Sequence, residues 1–172
     1  MNTETLARRV GADWEAIRAT LSEAGLDASA IESVRRVPAK VNNRLTRSLG
    51  RVRSNRVTGP NAIELSGQLV SKGKADEIVA VFLHEVAHLA ADFYLLSIRR
   101  RESAHGSTWC RFARVLGVPA KATATTSYTV ERPGLKTVAV CGACGYELQK
   151  TRRLNSRRTY RHRQCGGTFN AR

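Results

Sequence analysis

The chain has 172 residues, 42% of them hydrophobic, and a formal net charge of +15 at pH 7. That apolar content suits one domain or two small ones and excludes a disordered chain. The charge excess points to a polyanionic partner, nucleic acid or less often an anionic membrane.

The N-terminus, MNTETLARR, has no apolar leader stretch, and no run of about 18 uncharged apolar residues occurs. The expectation is a soluble, non-secreted protein, cytoplasmic (nucleoid-associated) or nuclear, with no membrane partner. Its four cysteines would then sit in a reducing compartment, where metal binding is favoured over disulfides.

Residues 1–36 read as an N-terminal helical segment. Leu6, Val10, Trp14, Ile17 and Leu21 recur at three- and four-residue steps. Gly11 and Asp13 divide the segment, Asp13 as an N-cap; Gly25 ends a second helix, and a third follows Asp27 before Pro38. A packing element without chemistry is the plain reading.

Residues 37–71 mix β-branched and polar residues in short alternation, with a turn at Gly59-Pro60-Asn61. Strands are expected near 45–57 and 61–66. From Arg35 to Arg56 there are eight basic residues (Arg35, Arg36, Lys40, Arg44, Arg47, Arg51, Arg53, Arg56) and no acid. The run is either a solvated face or a nucleic-acid contact.

A long helix follows, about Lys74 to Ile98, with Asp76 and Glu77 in the first turn, where the helix dipole favours acids, and Arg99–Arg101 at its end. Into its apolar run are set His84, Glu85 and His88. Four-residue spacing puts both imidazoles on one face, one turn apart, within reach of one metal ion. This is the H-E-x-x-H pattern of zinc peptidases, with Glu85 as general base. The alternative is two helix-face histidines beside an unrelated Glu. A catalytic zinc needs a third protein ligand, and two histidines remain, His105 and His162. His105 precedes Gly106 and a helix expected over 108–116, capped by Ser107 and ended by Gly117. An antiparallel return of that helix would bring His105 toward His84 and His88.

The C-terminal stretch, 133–172, carries a second constellation: Cys141 and Cys144, then His162 and Cys165, spaced C-x2-C-x17-H-x2-C. This suits a structural zinc on a zinc ribbon, with strands expected in KTVAV, YELQKTRRL and RRTYRHR. Cys110 reads as a small buried residue. After Glu147 there are eight basic residues and no acid: Lys150, Arg152, Arg153, Arg157, Arg158, Arg161, Arg163 and Arg172. Tyr146, Tyr160 and Phe169 lie among or beside them and could stack on unpaired bases; ribbon-core packing is the alternative.

RLTRSLGRVR, IELSGQLV, FLHEVAHLAADF, AHGSTWCRFARVLG and the paired-knuckle module, in that order, resemble the SprT-like (Spartan-like) zinc metalloprotease family. The resemblance implies an α+β fold: a zincin-like (minigluzincin-type) helical domain with a small three-stranded sheet over 37–132, then a zinc-ribbon-like β module over 133–172 that binds DNA. It implies His84, His88 and His105 as ligands of a catalytic Zn2+, Glu85 as the catalytic glutamate, and Cys141, Cys144, His162 and Cys165 around a structural Zn2+. The family's activity would be DNA-dependent cleavage of proteins bound or crosslinked to DNA. Single-stranded or junction-containing DNA and DNA-bound proteins are the expected partners, with Lys150, Arg152, Arg153, Arg157, Arg158, Tyr160, Arg161 and Arg163 as DNA contacts. His162 departs from the Cys expected at that ribbon position. Tyr94 and Tyr128 are candidate oxyanion donors. Two rival readings stay open: a non-catalytic zinc-containing DNA-binding protein whose site is closed by Asp92 or Glu102, and a general intracellular metallopeptidase.

Overall fold

Asn2, Asp13 and Asp27 each start a helix by accepting a backbone N–H that the first turn leaves unbonded. The helices are α1 (Thr3–Val10), α2 (Trp14–Glu23) and α3 (Ala28–Arg36). Gly11 (φ 83°) and Gly25 (φ 84°) end the first two in the left-handed conformation that glycine adopts at no steric cost. The computed structural model describes residues 1–55, 59–119, 126–130 and 134–171, in two units, Met1–Glu131 and Arg132–Arg172. The N-terminal helices do not stand apart from the rest of the first unit. Leu6, Ile17, Leu21, Ile31 and Val34 bury their side chains in one core with residues of the later strands and helices.

Pro38 leads into β1 (Ala39–Asn42), which pairs in parallel with β3 (Gly59–Ser66); β2 (Gly50–Asn55) pairs with β3 from the other side, antiparallel. The order β1-β3-β2 leaves β2 at an edge. The strand expected from residue 45 begins only at Gly50. Before it the chain turns: the Arg44 N–H donates to Asn42 Oδ1, and Leu45 is buried. The expected end of that strand at 57, and Arg56, lie outside the described residues. On the central strand Glu64 is 1% exposed and carries three donors, Asn42, Arg51 and Lys40. Burial pushes its carboxyl up, but those three donors outweigh it and hold it at about 2.

After α4 (Gly67–Lys72) comes α5 (Ala75–Ser97), packed against α1, α3, β2, β3 and α6 (Ser107–Val115). It is long and apolar enough to cross a membrane, and half of its most apolar window is buried in the unit's core. Phe82, Val86, Leu89 and Ala90 are fully buried, beside Phe112 of α6; burying such a large apolar side chain stabilises by about 2 kcal/mol.

The second unit is a sheet of order β5-β4-β6: β4 (Lys136–Cys141), β5 (Glu147–Lys150) and β6 (Phe169–Ala171). The strand expected in 157–163 is not formed among the described residues. The chain turns at 155–158, where the Arg158 N–H donates to the Asn155 carbonyl, and only an isolated bridge joins Arg161 to Thr168. Its buried apolar side chains are few: Val138, Ala139 and Cys141.

Candidate metal centres

His84, Glu85 and His88 leave α5 at a cleft of about 510 Å³, lined on the far side by β2 and by His105 from the loop before α6. Their burial is affordable only if something holds them. One nitrogen of each histidine lies within 4.8 Å of the others, and the Nε2 atoms of His84 and His105 are 3.4 Å apart. Two nitrogens on one tetrahedral zinc would be about 3.4 Å apart. Burial first, then His84 and His105, draws His88 down to about 3; burial first, then His105, lowers His84. Neutral imidazoles offer the lone pairs a metal needs. Three nitrogen donors facing a cleft fit zinc with one position left open.

Trp109 is the floor beneath them. Its ring lies 4.9, 5.3 and 4.4 Å from those of His84, His88 and His105, and the residue is 2% exposed. The loop bearing His105 is held by Glu102. That carboxylate accepts from the Thr108 N–H at 2.9 Å, from the Thr108 hydroxyl at 2.8 Å and from Ser107 Oγ at 3.3 Å. A side chain at Gly106 would start 2.6 Å from Glu102 Oε2 and 3.1 Å from the Ser103 carbonyl, so it would displace the Glu102 carboxylate from this position. Ser107, expected as the helix cap, instead begins α6 and donates to Glu102. The sequence signal for Glu102 was available: an acid six residues before a helix's second residue, with an intervening glycine.

Glu85 is 5% exposed. Burial raises its carboxyl to about 8, partly offset by the Val52 N–H of β2. A Cβ at Gly50 would fall 2.6 Å from Glu85 Oε1, so the edge strand approaches the acid where it has no side chain. Of the two suggested closing ligands, Glu102 is occupied by α6 as described. Asp92 lines the cleft and accepts from Ser54 Oγ at 2.7 Å. The His84, His88 and His105 group contains neither. Tyr94 and Tyr128 do not line the cleft: Tyr94 packs on Phe112 under the Arg111 guanidinium, and the Tyr128 hydroxyl is buried without a hydrogen-bond partner among the described residues.

In the second unit, Cys141, Cys144, His162 and Cys165 converge. His162 Nδ1 lies 3.1 Å from Cys144 Sγ and 3.2 Å from Cys165 Sγ, and Cys141 and Cys165 sulfurs are 3.4 Å apart. Sulfurs on one tetrahedral zinc would be about 3.8 Å apart, so the set needs only slight expansion. The Cys144 N–H draws the Cys141 thiol down to about 6, favouring the thiolate that binds metal. The Gly167 N–H pulls Cys165 down, but Cys141 and Cys144 outweigh it and push it up. A Cβ at Gly167 would fall 2.7 Å from Cys141 Sγ, so the knuckle needs glycine there. Four protein ligands leave no open position, as in structural zinc sites.

Tyr146 stacks on His162 at 4.7 Å and 10° while remaining half exposed. Phe169 lies against both rings. The Tyr160 hydroxyl accepts from the Asn155 N–H. Lys150, Arg152, Arg153, Arg157, Arg158, Arg161 and Arg163 are all exposed, with no ion-pair partner among the described residues; Arg172 lies outside them. In the earlier basic run the picture differs. Arg35 pairs with Glu4 and Glu32, Arg36 with Glu32, and Lys40 and Arg51 with Glu64. Arg44, Arg47 and Arg53 remain exposed and without an ion pair among the described residues.

An α+β protein with one open three-histidine set and one closed Cys3His set defines a candidate two-site metalloprotein. The chain belongs to the SprT-like family, whose sequence model matches residues 15–129, more than half of its length. That membership points to a zinc metallopeptidase-like domain. Comparison with curated proteins and with solved structures gives no match.

Proposed function

We propose that this chain is a DNA-dependent zinc metalloendopeptidase, zincin-like in its first unit, that cleaves proteins bound or crosslinked to DNA. The observation that carries the reading is a buried glutamate, Glu85, beside three converging histidines at an open cleft. Zinc held by His84, His88 and His105 supplies Lewis acidity toward water and a peptide carbonyl. Glu85 takes the proton from the attacking water and passes it to the leaving amine. Burial alone raises this carboxyl to about 8, and the charge of a metal at the histidines would draw it back toward the ionised form that accepts a proton. Val52 holds that carboxylate in place, and Trp109 excludes water from beneath the ligands. β2 is an edge strand along the cleft and offers an extended peptide a strand to lie beside, apart from the Val52 N–H that Glu85 takes. The second unit, held by its own Zn2+, presents seven unpaired cations to phosphate, and the half-exposed Tyr146 offers a ring to single-stranded or junction bases. The cell compartment that fits is the nucleoid or nucleus.

The test is cleavage of a DNA-bound protein, with and without DNA, by wild type and Glu85→Gln. Wild type should cleave only with DNA. Glu85→Gln should retain zinc and fold while losing about a thousandfold in rate. Equal rates without DNA would favour the general peptidase, and undiminished cleavage by Glu85→Gln would remove the assigned base.

A further inference from the structure

Asp92 stands in the cleft with no cation paired to it among the described residues. It lies one helical turn beyond His88 and two beyond His84, on the same face of α5. It is partly buried, its carboxylate accepts one hydrogen bond, from Ser54 Oγ at 2.7 Å, and no ion pair neutralises it among the described residues. The other cleft acid, Glu85, is committed to the chemistry, and of the two cleft cations Arg51 is bound to Glu64. Arg47 precedes Gly50 in the chain and lines the cleft without an ion pair among the described residues.

The chain direction gives these charges an order. Along β2, Gly50 and Val52 meet Glu85, and Ser54 meets Asp92. Arg47 lies before that run and Asp92 at its far end. A peptide extended along β2 advances about 3.3 Å per residue, so a side chain about two residues from the scissile bond comes over Asp92. A partly buried carboxylate with a free oxygen there favours a cation and disfavours an anion.

From this juxtaposition we infer that Asp92 is a specificity-determining residue, forming a subsite for a lysine or arginine side chain of the protein substrate, on one side of the scissile bond only. The inference rests on the peptidase reading of the same cleft. The long, charged side chain binds with its stem along Ser54 and its head on Asp92; the Arg47 end of the cleft shows no such preference.

The experiment uses the full chain with zinc and DNA and a set of internally quenched peptides. Lys, Ala or Glu is placed singly at each of three positions on either side of one bond. Wild type should cleave the Lys peptide about tenfold better than the Glu peptide at one position about two residues from the bond. In Asp92→Asn that ratio should fall to about two, and in Asp92→Lys it should invert. The ratio is internal to each variant, so a general loss of fold or metal cancels. No Lys-to-Glu discrimination in wild type at any position, or unchanged discrimination in Asp92→Asn, overturns the subsite. If wild type cleaves none of the peptides, the peptidase reading is at fault. The same peptides titrated by fluorescence anisotropy onto Glu85→Gln and onto Glu85→Gln with Asp92→Asn then decide the subsite by the same ratio.

Discussion

His84, His88 and His105 stand on a scaffold whose core is complete without them, whereas Cys141 and His162, two of the four converging ligands of the second unit, are half of its buried side chains among the described residues, beside Val138 and Ala139. In the first unit the helix that carries two ligands is fixed by Phe82, Val86, Leu89 and Ala90, none of which touches solvent. In the second, Val138 and Ala139 are the only buried apolar residues besides Cys141 among those described. A unit of about 40 residues buries too little apolar surface to fold unaided. On our reading the two sets would do opposite work: an ion at the open histidine set would be added to a finished fold, and an ion at the closed cysteine set would help to make one.

Removing one ligand from each set should have the largest effect. Cys141→Ser should unfold the second unit, since a structural zinc contributes on the order of 10 kcal/mol to folding. His105→Ala should cost the first unit its ion and little of its stability. Hydrogen exchange resolved along the chain, with zinc counted per chain, reads both results at once. Protection lost over 136–171 in Cys141→Ser, and kept over 75–97 in His105→Ala, is expected. If the second unit stays protected without zinc, its core is larger than the comparison holds.

Acid should separate the units next. The Glu64 carboxyl is held at about 2, against an ordinary value of 4.5. A depressed folded-state value means the stabilisation is present above about pH 4.5 and is lost as the pH falls toward 2. It is worth about 2 kcal/mol, allowing for water around the exposed ends of Arg51 and Lys40. Glu64→Gln should remove that part of the first unit's pH slope in urea titrations at pH 5, 3.5 and 2.5. The second unit should instead lose structure together with zinc, because protons compete with the metal for thiolate and imidazole. A first-unit slope untouched by Glu64→Gln would show that the buried charge sets no part of its acid stability.

Much of this contrast was legible in the residues. The 3.6-residue pattern and end charges marked α5, and fixed spacing alone brought out both knuckles and the H-E-x-x-H face. What failed to show depended on partners distant in the chain. β1 is four residues long and is a strand only because Ala39–Asn42 meet Ile63–Ser66 in parallel. RRTYRHR looks like a strand by composition, yet its turn at 155–158 leaves the third position to Phe169–Ala171. Val52 and Gly50 serve Glu85 through backbone and through the lack of a side chain, which leave no residue-type signal. Half of the first basic run was spent on Glu4, Glu32 and Glu64, pairings that sequence distance concealed.

The smallest effect should come from Glu102, and it refines what "a finished fold" means for the first ligand set. His84 and His88 are fixed by a helix, but His105 is on a loop, and loops place side chains less rigidly. Here the Glu102 carboxylate spans the loop to Thr108 and Ser107, and the Gly106 N–H donates to the Ser103 carbonyl within it. The pull of those N–H and hydroxyl donors, the Thr108 N–H first, holds the Glu102 carboxyl below its ordinary range, so the clamp is charged at neutral pH. Releasing it leaves His105 to be ordered by the metal itself. Glu102→Ala should therefore weaken zinc at the histidine set about tenfold, with zinc at the cysteine set unchanged as an internal reference. Glu102→Gln, which still accepts through one oxygen, should fall between. Competition against a chromophoric chelator gives the two affinities separately. A full-strength histidine site in Glu102→Ala would mean that Trp109, packed on all three rings, orders His105 without the clamp.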